Sequence, residues 1–233
     1  MEKKRISKAL SAAGIASRRA CEEFIFAGKV DVNGETVFLP QTLVSWEEDD
    51  IRIDGQRVKG EQKKAYYILN KPNGYICANK PVGTKKLVIE LFAHLNERLF
   101  TIGRLDRDTT GLLLVTNDGH FAQRVIHPSA HIAKEYLVKT DREINDFDLK
   151  IISKGAFIEG VWIKPKKVTK VRRNTVKIIV MEGKKREVRL LVQKAELKVE
   201  SLERIRIGGL QLGTLPEGMF RPLTEREKEL IFE

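Results

Sequence analysis

The sequence predicts an α+β chain in two parts: a small N-terminal helix-hairpin domain over residues 1–60, then a larger domain over residues 61–233 built on a mostly antiparallel sheet. Three observations predict it. Short strand-like runs recur between Gly and Asn turn signals, with few helical periods among them. Charge changes character along the chain: residues 1–62 carry 10 Lys and Arg against 11 acids, net −1, and residues 63–233 carry 33 against 21, net +12. Between the two parts lies "KGEQKK", residues 59–64, a polar stretch with a glycine that reads as a linker.

The composition narrows the class. With 42% hydrophobic residues the chain can bury a core, and its 32% charged residues are not gathered into long single-sign runs. A net charge of +11 concentrates polyanions, which makes nucleic acid or an anionic membrane the leading partner. No apolar run approaches the roughly 20 residues of a membrane span, and "MEKKRISKAL" lacks the apolar centre of a secretory signal, so a cytoplasmic protein without membrane contact is expected. Cys21 and Cys77 show no CxxC spacing, and His94, His120, His127 and His131 form no metal-binding pattern, so no metal is expected. Residues 164–206 hold 15 basic and 5 acidic side chains and no aromatic, which favours phosphate contacts over base stacking.

Taking the elements in order, Ile6, Ala9, Leu10 and Ala13 recur at helical spacing, and Gly14 supplies a left-handed stop. Ser17 can cap a second helix that carries Phe24 and Ile25 and stops at Gly28. Arg18 and Arg19 fall in its first turn, where the helix dipole disfavours cations; an external phosphate would resolve the conflict, and plain solvation is the alternative. "VDVNGETV" and "IRIDGQRV" read as tight hairpins around Asn33-Gly34 and Asp54-Gly55.

Beyond the linker, "AYYILNKPNGYICA" predicts a strand, a turn at Lys71-Pro72-Asn73-Gly74 and a second strand. Lys71 at the mouth of that turn is either a phosphate contact or a solvated lysine. "RLFTIGR" then leads into a polar loop from Asp106 to Thr110, and "GLLLVT" is apolar enough for a strand in the middle of a sheet.

Three readings compete for the acids of "GRLDRDTTGLLLVTNDG". Asp106, between Arg104 and Arg107, could be a reactive carboxylate kept ionised by opposite charge. Asp106 and Asp108 could instead cap backbone N–H groups of the turn. A DxD metal site is the third, but two arginines beside the acids repel a divalent cation.

Further on, "VKIIVMEG" reads as a strand, and "REVRLLVQKAEL" places Val188, Leu191, Val192 and Ala195 on one helix face with Arg186, Arg189 and Gln193 on another side. Lys184, Lys185 and Arg186 at its start repeat the arrangement around Arg18 and suit a phosphate. "PLTEREKELIF" closes the chain with a helix opened by a Thr224–Glu227 capping box.

Two resemblances rest on these segments. "RISKALSAAGIASRRACEEFIFAGKVDVNG" resembles the small RNA-binding module named after ribosomal protein four of the small subunit, which implies RNA backbone contacts at Arg5, Ser17, Arg18, Arg19, Lys29 and Asn33. The run "GRLDRDTTGLLLVTNDG" is similar over its full length to the signature of the RsuA/RluB/E/F class of ribosomal RNA pseudouridine synthases. "LNKPNGYICA", "KEYLV" and "EGKKREVRLL" follow that class's other motifs in order. The resemblance implies a mixed, largely antiparallel catalytic sheet with a cleft across its middle. It makes Asp106 the catalytic aspartate, Tyr136 the ring that packs on the target base and Arg189 the basic partner of the aspartate. It makes Val188 an apolar lining residue and Arg104 the residue that occupies the space left by the uridine. Lys71, Lys184, Lys185 and Arg186 stand as further substrate contacts.

What the resemblance implies chemically is isomerisation of a flipped-out uridine to pseudouridine, without cofactor, metal or redox change, in ribosomal RNA or a pre-ribosomal particle, by a monomer. "SRRACEE" leans toward the large-subunit members. The chain departs from the class at Leu190, where a second basic residue is frequent, and in "ANKPVGTKKLVIELF" before the signature; both bear on which RNA is modified. The rival readings are a catalytically silent RNA-binding factor in ribosome assembly and, behind it, a metal-dependent glycosyltransferase.

Overall fold

A computed structural model of the protein describes residues 3–79 and 81–233. The chain forms two compact units: the first comprises residues up to 65 with 95–99 and 117–119, the second residues 66–94, 100–116 and 120–233.

In the first unit, β1 (Lys4–Arg5) leads into α1 (Ile6–Ala12) and α2 (Arg18–Phe26), followed by β2 (Val30–Val32), β3 (Glu35–Thr36), β4 (Leu43–Val44), β5 (Ile51–Ile53) and β6 (Gln56–Arg57). Ser17 caps α2, its hydroxyl accepting from the Ala20 amide at 3.2 Å. Both hairpins form where the dipeptides require them: Asn33-Gly34 joins β2 to β3 and Asp54-Gly55 joins β5 to β6, all four residues at positive φ as a type I′ turn demands. Ile6, Leu10, Cys21, Ile25, Val30, Val44 and Ile51 close the core between helices and sheet.

The second unit contains β7 (Tyr66–Lys71), β8 (Phe100–Ile102), β9 (Thr110–Thr116), α3 (Gly119–Ile126), β10 (Lys134–Thr140), α4 (Asp146–Lys154), β11 (Ala156–Ile158), β12 (Val161–Ile163), β13 (Lys167–Arg172), β14 (Thr175–Val180), α5 (Glu187–Gln193), β15 (Val199–Ile207), β16 (Leu210–Gln211), β17 (Phe220–Pro222) and α6 (Glu225–Leu230). Its main sheet runs β13-β14-β10-β15-β9-β7-β17. Every neighbouring pair on that path is antiparallel except β15 with β9, which is parallel, so the sheet is mixed and largely antiparallel as the resemblance implied.

The parallel seam decides the middle of the sheet. Residues 111–116 of β9 are buried on both faces, which explains the unbroken apolar run "GLLLV". Gly111 is required at its start: with φ at +101°, a Cβ there would sit 2.3 Å from the Arg204 carbonyl oxygen. One face is covered by a core of Ile68, Leu112, Leu114, Phe121, Val125, Ile207 and Ile231, among others.

Two elements differ from expectation. The second strand of "AYYILNKPNGYICA" does not form; the Gly74 amide donates to the Arg107 carbonyl and Ile76 makes only an isolated bridge to Leu87, because this backbone is engaged by the loop after β8 and by the segment before a 3-10 turn at Val88–Phe92. The helix within "REVRLLVQKAEL" is only seven residues, with Arg186 in left-handed conformation (φ +54°) just before it and Glu196 (φ +55°) just beyond. Its buried apolar face is the expected one, Val188, Leu191 and Val192, and Ala195 is buried just beyond its end. At the C-terminus Thr224 and Glu227 form the capping box of α6.

Candidate active site

The loop between β8 and β9 carries the acids. Leu105 is buried and its amide donates to Cys77 Sγ at 3.4 Å, while the Asp106 carbonyl accepts from the Thr109 amide to close a turn. The side chains of Asp106 and Asp108 accept no backbone hydrogen bond among the described residues, so the turn-capping reading is not realised. Asp106 is left half-buried and lines a cleft of about 680 Å³. That volume suits a nucleoside-sized ligand.

Opposite charge reaches Asp106 from an unexpected residue. Neither flanking arginine pairs with it; Arg186 Nη1 stands 4.0 Å from Asp106 Oδ2 and 3.5 Å from Asp108. Arg189 does not pair with Asp106 either. Its Nη2 donates to the Asp108 carbonyl at 2.7 Å and contacts Thr109 Oγ1 at 3.4 Å and the Asp108 carboxylate at 3.1 Å. The short helix explains the exchange: Arg189, on the first turn of α5, meets the far end of the loop, while left-handed Arg186 turns out toward the acids. Burial lowers the Arg189 pKa, with Asp108 opposing the shift.

Lys71 is also placed differently. It is fully buried at the end of β7, and its ammonium donates to the carbonyls of Thr109 (2.8 Å), Pro72 (3.0 Å) and Arg107 (3.4 Å). Three acceptors match the three N–H groups of an ammonium. No donor is left for a phosphate, so Lys71 holds the acidic loop rather than substrate. Burial pushes its pKa below the ordinary lysine value, against the pull of Cys77, Asp108 and Asp106.

The rest of the cleft comes from β10, β15 and α5, with the end of α3, the segment that follows it and the end of β14 completing the wall. Tyr136 is 8% exposed on β10, and Val188 of α5 lines the same cleft, with Arg104, Lys184, Lys185 and Arg186 around its rim, exposed. Two cations that the motifs did not single out lie among them. Arg204, only 4% exposed, is the direct cross-strand partner of Tyr136 in the β10–β15 pair, so the two side chains share a face. Its Nε donates to the Leu112 carbonyl at 2.7 Å, and its buried Nη2 has no partner. Lys134, two residues before Tyr136 and on the same face, donates to the Ile132 carbonyl. Burial first, then Arg204, lowers its pKa, while burial raises that of Glu187, another lining residue. The signal was available in "SLERIRI": at strand period, Arg204 occupies an inward slot after Leu202.

In the first unit, Arg5 and Arg19 are exposed and free of ion pairs among the described residues, while Arg18 pairs with Glu22 at 3.4 Å and Lys29 with Asp54 at 4.0 Å. Ser17 and Asn33 are engaged internally: Ser17 as the helix cap, Asn33 donating to Asp49 and accepting from the Asp50 amide. The Ser17 bond is local and holds the helix start, whereas the Asn33 bonds tie an exposed hairpin turn to residues 16 and 17 positions further on. Among the described residues no three His, Cys, Asp or Glu side chains converge to hold a metal ion.

Comparison with known proteins agrees with this architecture. Residues 65–194 match the family model of RNA pseudouridylate synthases, and residues 4–51 match the S4 domain. A putative chloroplastic ribosomal large subunit pseudouridine synthase of Arabidopsis thaliana is 44% identical over 89% of this chain, which spans 55% of that protein's length. An uncharacterized RNA pseudouridine synthase of Aquifex aeolicus is 40% identical over 98% of this chain and 94% of its own. Ribosomal large subunit pseudouridine synthase B of Bacillus subtilis is 35% identical over 96% and 93%. A crystal structure of a pseudouridylate synthase superposes with a TM-score of 0.70 at 30% identity, covering 98% of this chain and 99% of that one. With a mixed sheet, a cleft at its parallel seam and an S4 domain ahead of it, the chain belongs to the RNA pseudouridine synthase family.

Proposed function

We propose that the enzyme converts a uridine of ribosomal RNA, in the large subunit by preference, to pseudouridine, with Asp106 as the catalytic carboxylate acting on a flipped-out nucleotide. The observation that carries this is the state of Asp106: half-buried, uncapped by backbone, lining the cleft and 4.0 Å from a guanidinium.

The reaction breaks the bond between ribose C1′ and uracil N1, turns the base, and joins C1′ to C5; N1 gains the proton that C5 loses. Two routes are open to a carboxylate here, bonding to C1′ or taking the proton beside it, and both need it ionised. Arg186, 4.0 Å away, is the cation that faces it. As the C1′–N1 bond breaks, negative charge gathers on the departing uracil. Cations shielded from water are worth more there than in bulk, and buried Arg204 and half-buried Lys134 supply them at the cleft. Unstacking a nucleotide costs a few kcal/mol, and Tyr136 and Val188 offset part of it by packing on the base.

The remaining rim serves the RNA backbone. Arg104 fills the place of the displaced uridine, and Lys184, Lys185 and Arg186 meet phosphates. Residues 1–60 dock RNA through Arg5, Arg18, Arg19 and Lys29, and residues 61–233 carry the chemistry. We place the enzyme in the cytoplasm as a monomer acting on ribosomal RNA or a pre-ribosomal particle; free Cys21 and Cys77 fit a reducing compartment. The similar Arabidopsis protein is named chloroplastic.

The test uses transcripts of both ribosomal RNAs carrying tritium at uracil C5. Wild-type protein should release tritium from one transcript, the large-subunit RNA, and Asp106→Asn should release none while binding the RNA as tightly. Equal release by the two proteins would remove Asp106 from the chemistry. Tight binding by the wild type without release, on transcripts and on partly assembled subunits, would favour the silent assembly factor.

A further inference from the structure

The hairpin of β11 and β12 exposes two aromatic rings that the active site does not use. It turns through Glu159 and Gly160, both at positive φ, with Phe157 directly opposite Trp162. Strand alternation sends Ala156, Ile158 and Ile163 inward, where β11 packs on α5. Phe157 and Trp162 point outward together and are 70% and 56% exposed. Gly155 sets the hairpin in place: a Cβ on it would meet the Ile163 carbonyl oxygen at 2.2 Å.

The charge around these rings is one-sided. Residues 150–173 contain eight Lys and Arg and a single acid, Glu159. Lys154, Lys164, Lys166 and Lys167 are exposed and make no ion pair among the described residues. The basic stretch without aromatics begins two residues after Trp162, so the sequence separated what the fold joins.

We propose that Phe157 and Trp162 form a stacking platform for unpaired nucleotides of the RNA, a second binding site apart from the uridine cleft. This rests on the reading of RNA as substrate. A pair of exposed rings by itself would suit any apolar partner. The surrounding lysines choose a polyanion, and among polyanions an unpaired nucleic acid strand is the one that offers flat faces to stack on. A duplex buries its bases and would meet the lysines only.

The experiment takes the full chain with Trp46→Phe, so that Trp162 is the sole tryptophan, and titrates it with an oligouridylate of eight nucleotides and with an RNA duplex of equal charge. Saturable quenching by the single strand and none by the duplex is expected. Phe157→Ser with Trp162→Ser, both exposed and tolerant of change, should weaken oligouridylate binding by about 5- to 150-fold, the range of losses at stacking positions. The pair should also raise KM for a transcript and leave kcat unchanged. Unquenched Trp162 in a demonstrably bound complex would overturn the proposal, as would a dimer of the wild-type chain that the double serine variant dissolves. Tritium release by the wild type separates this from the synthase reading: release without quenching defeats only the platform, and quenching without release defeats only the synthase assignment.

Discussion

Lys71 Nζ and the Thr109 carbonyl oxygen lie 2.8 Å apart in a buried contact between the end of β7 and the loop that precedes β9, 38 residues away in sequence. With Pro72 and Arg107 as its other acceptors, this ammonium ties the end of β7 to both sides of the acidic loop.

Replacing it with Met should therefore leave the Thr109 and Pro72 carbonyls without a donor, the Arg107 carbonyl keeping the Gly74 amide, and loosen the loop. Lys71→Met is expected to lose roughly 1–3 kcal/mol of stability and more than about tenfold in kcat, with RNA affinity retained. Chemical denaturation and tritium release measure the two. Burial lowers the native pKa of Lys71 below that of an unfolded lysine, so the unfolded chain holds this proton more tightly. The site's charge penalty is present at neutral pH and is relieved as pH rises from the native value to the unfolded one. Full kcat in Lys71→Met would show that the loop keeps its geometry unaided.

Arg186 and Arg189 should separate cleanly. Arg189 anchors Asp108 and Thr109 from a nearly buried position, so Arg189→Gln is expected to lower the melting temperature by several degrees. Exposed Arg186 faces Asp106, and Arg186→Gln should leave melting within about a degree and cut kcat by about tenfold or more. The reverse pattern would reassign the partner of the aspartate.

Arg204→Met removes a buried guanidinium that has no acid partner together with its bond to the Leu112 carbonyl, and these opposing effects should leave the melting temperature within a few degrees. Activity should fall by about a hundredfold in kcat, because a cation facing the departing base is lost, with little change in KM. Arg204→Lys should recover part of it. A loss confined to KM would make Arg204 a binding residue only.

Glu227 gives the clearest acid dependence. Arg221 holds its carboxylate in a two-pronged pair at 2.6 and 2.9 Å, and with the Thr224 cap this lowers the pKa to about 2. The native value lies below the unfolded one, so the contribution is complete above the unfolded value near 4.5 and is lost as pH falls through about 2. Glu227→Gln should cost about 1 kcal/mol at neutral pH, or roughly 2–4 °C in melting temperature, and only a small part of that once the pH has fallen to about 2. An equal deficit at both pH values would mean that the side chain acts by packing.

The sequence by itself determined whatever depends on neighbours within a few residues. The Asn33-Gly34 and Asp54-Gly55 turns, the Ser17 cap, the Thr224–Glu227 box and the buried stripe from Val188 to Ala195 all follow from local backbone preference, side-chain reach and helical period. The 17 residues of "GRLDRDTTGLLLVTNDG" also sufficed to indicate the reaction. Tertiary structure decided the state and partner of each charge. Lys71 became a buried tie because β7 and β9 are adjacent in the sheet, and Gly111 had to be glycine because Arg204 arrives alongside it across the parallel seam. Arg186 displaced Arg189 beside Asp106 because α5 starts one residue after a left-handed turn, and Phe157 met Trp162 through hairpin register. The physical reason is range: caps and turns are settled by contacts along the chain, whereas the energy of a buried charge depends on every strand brought within a few ångströms of it.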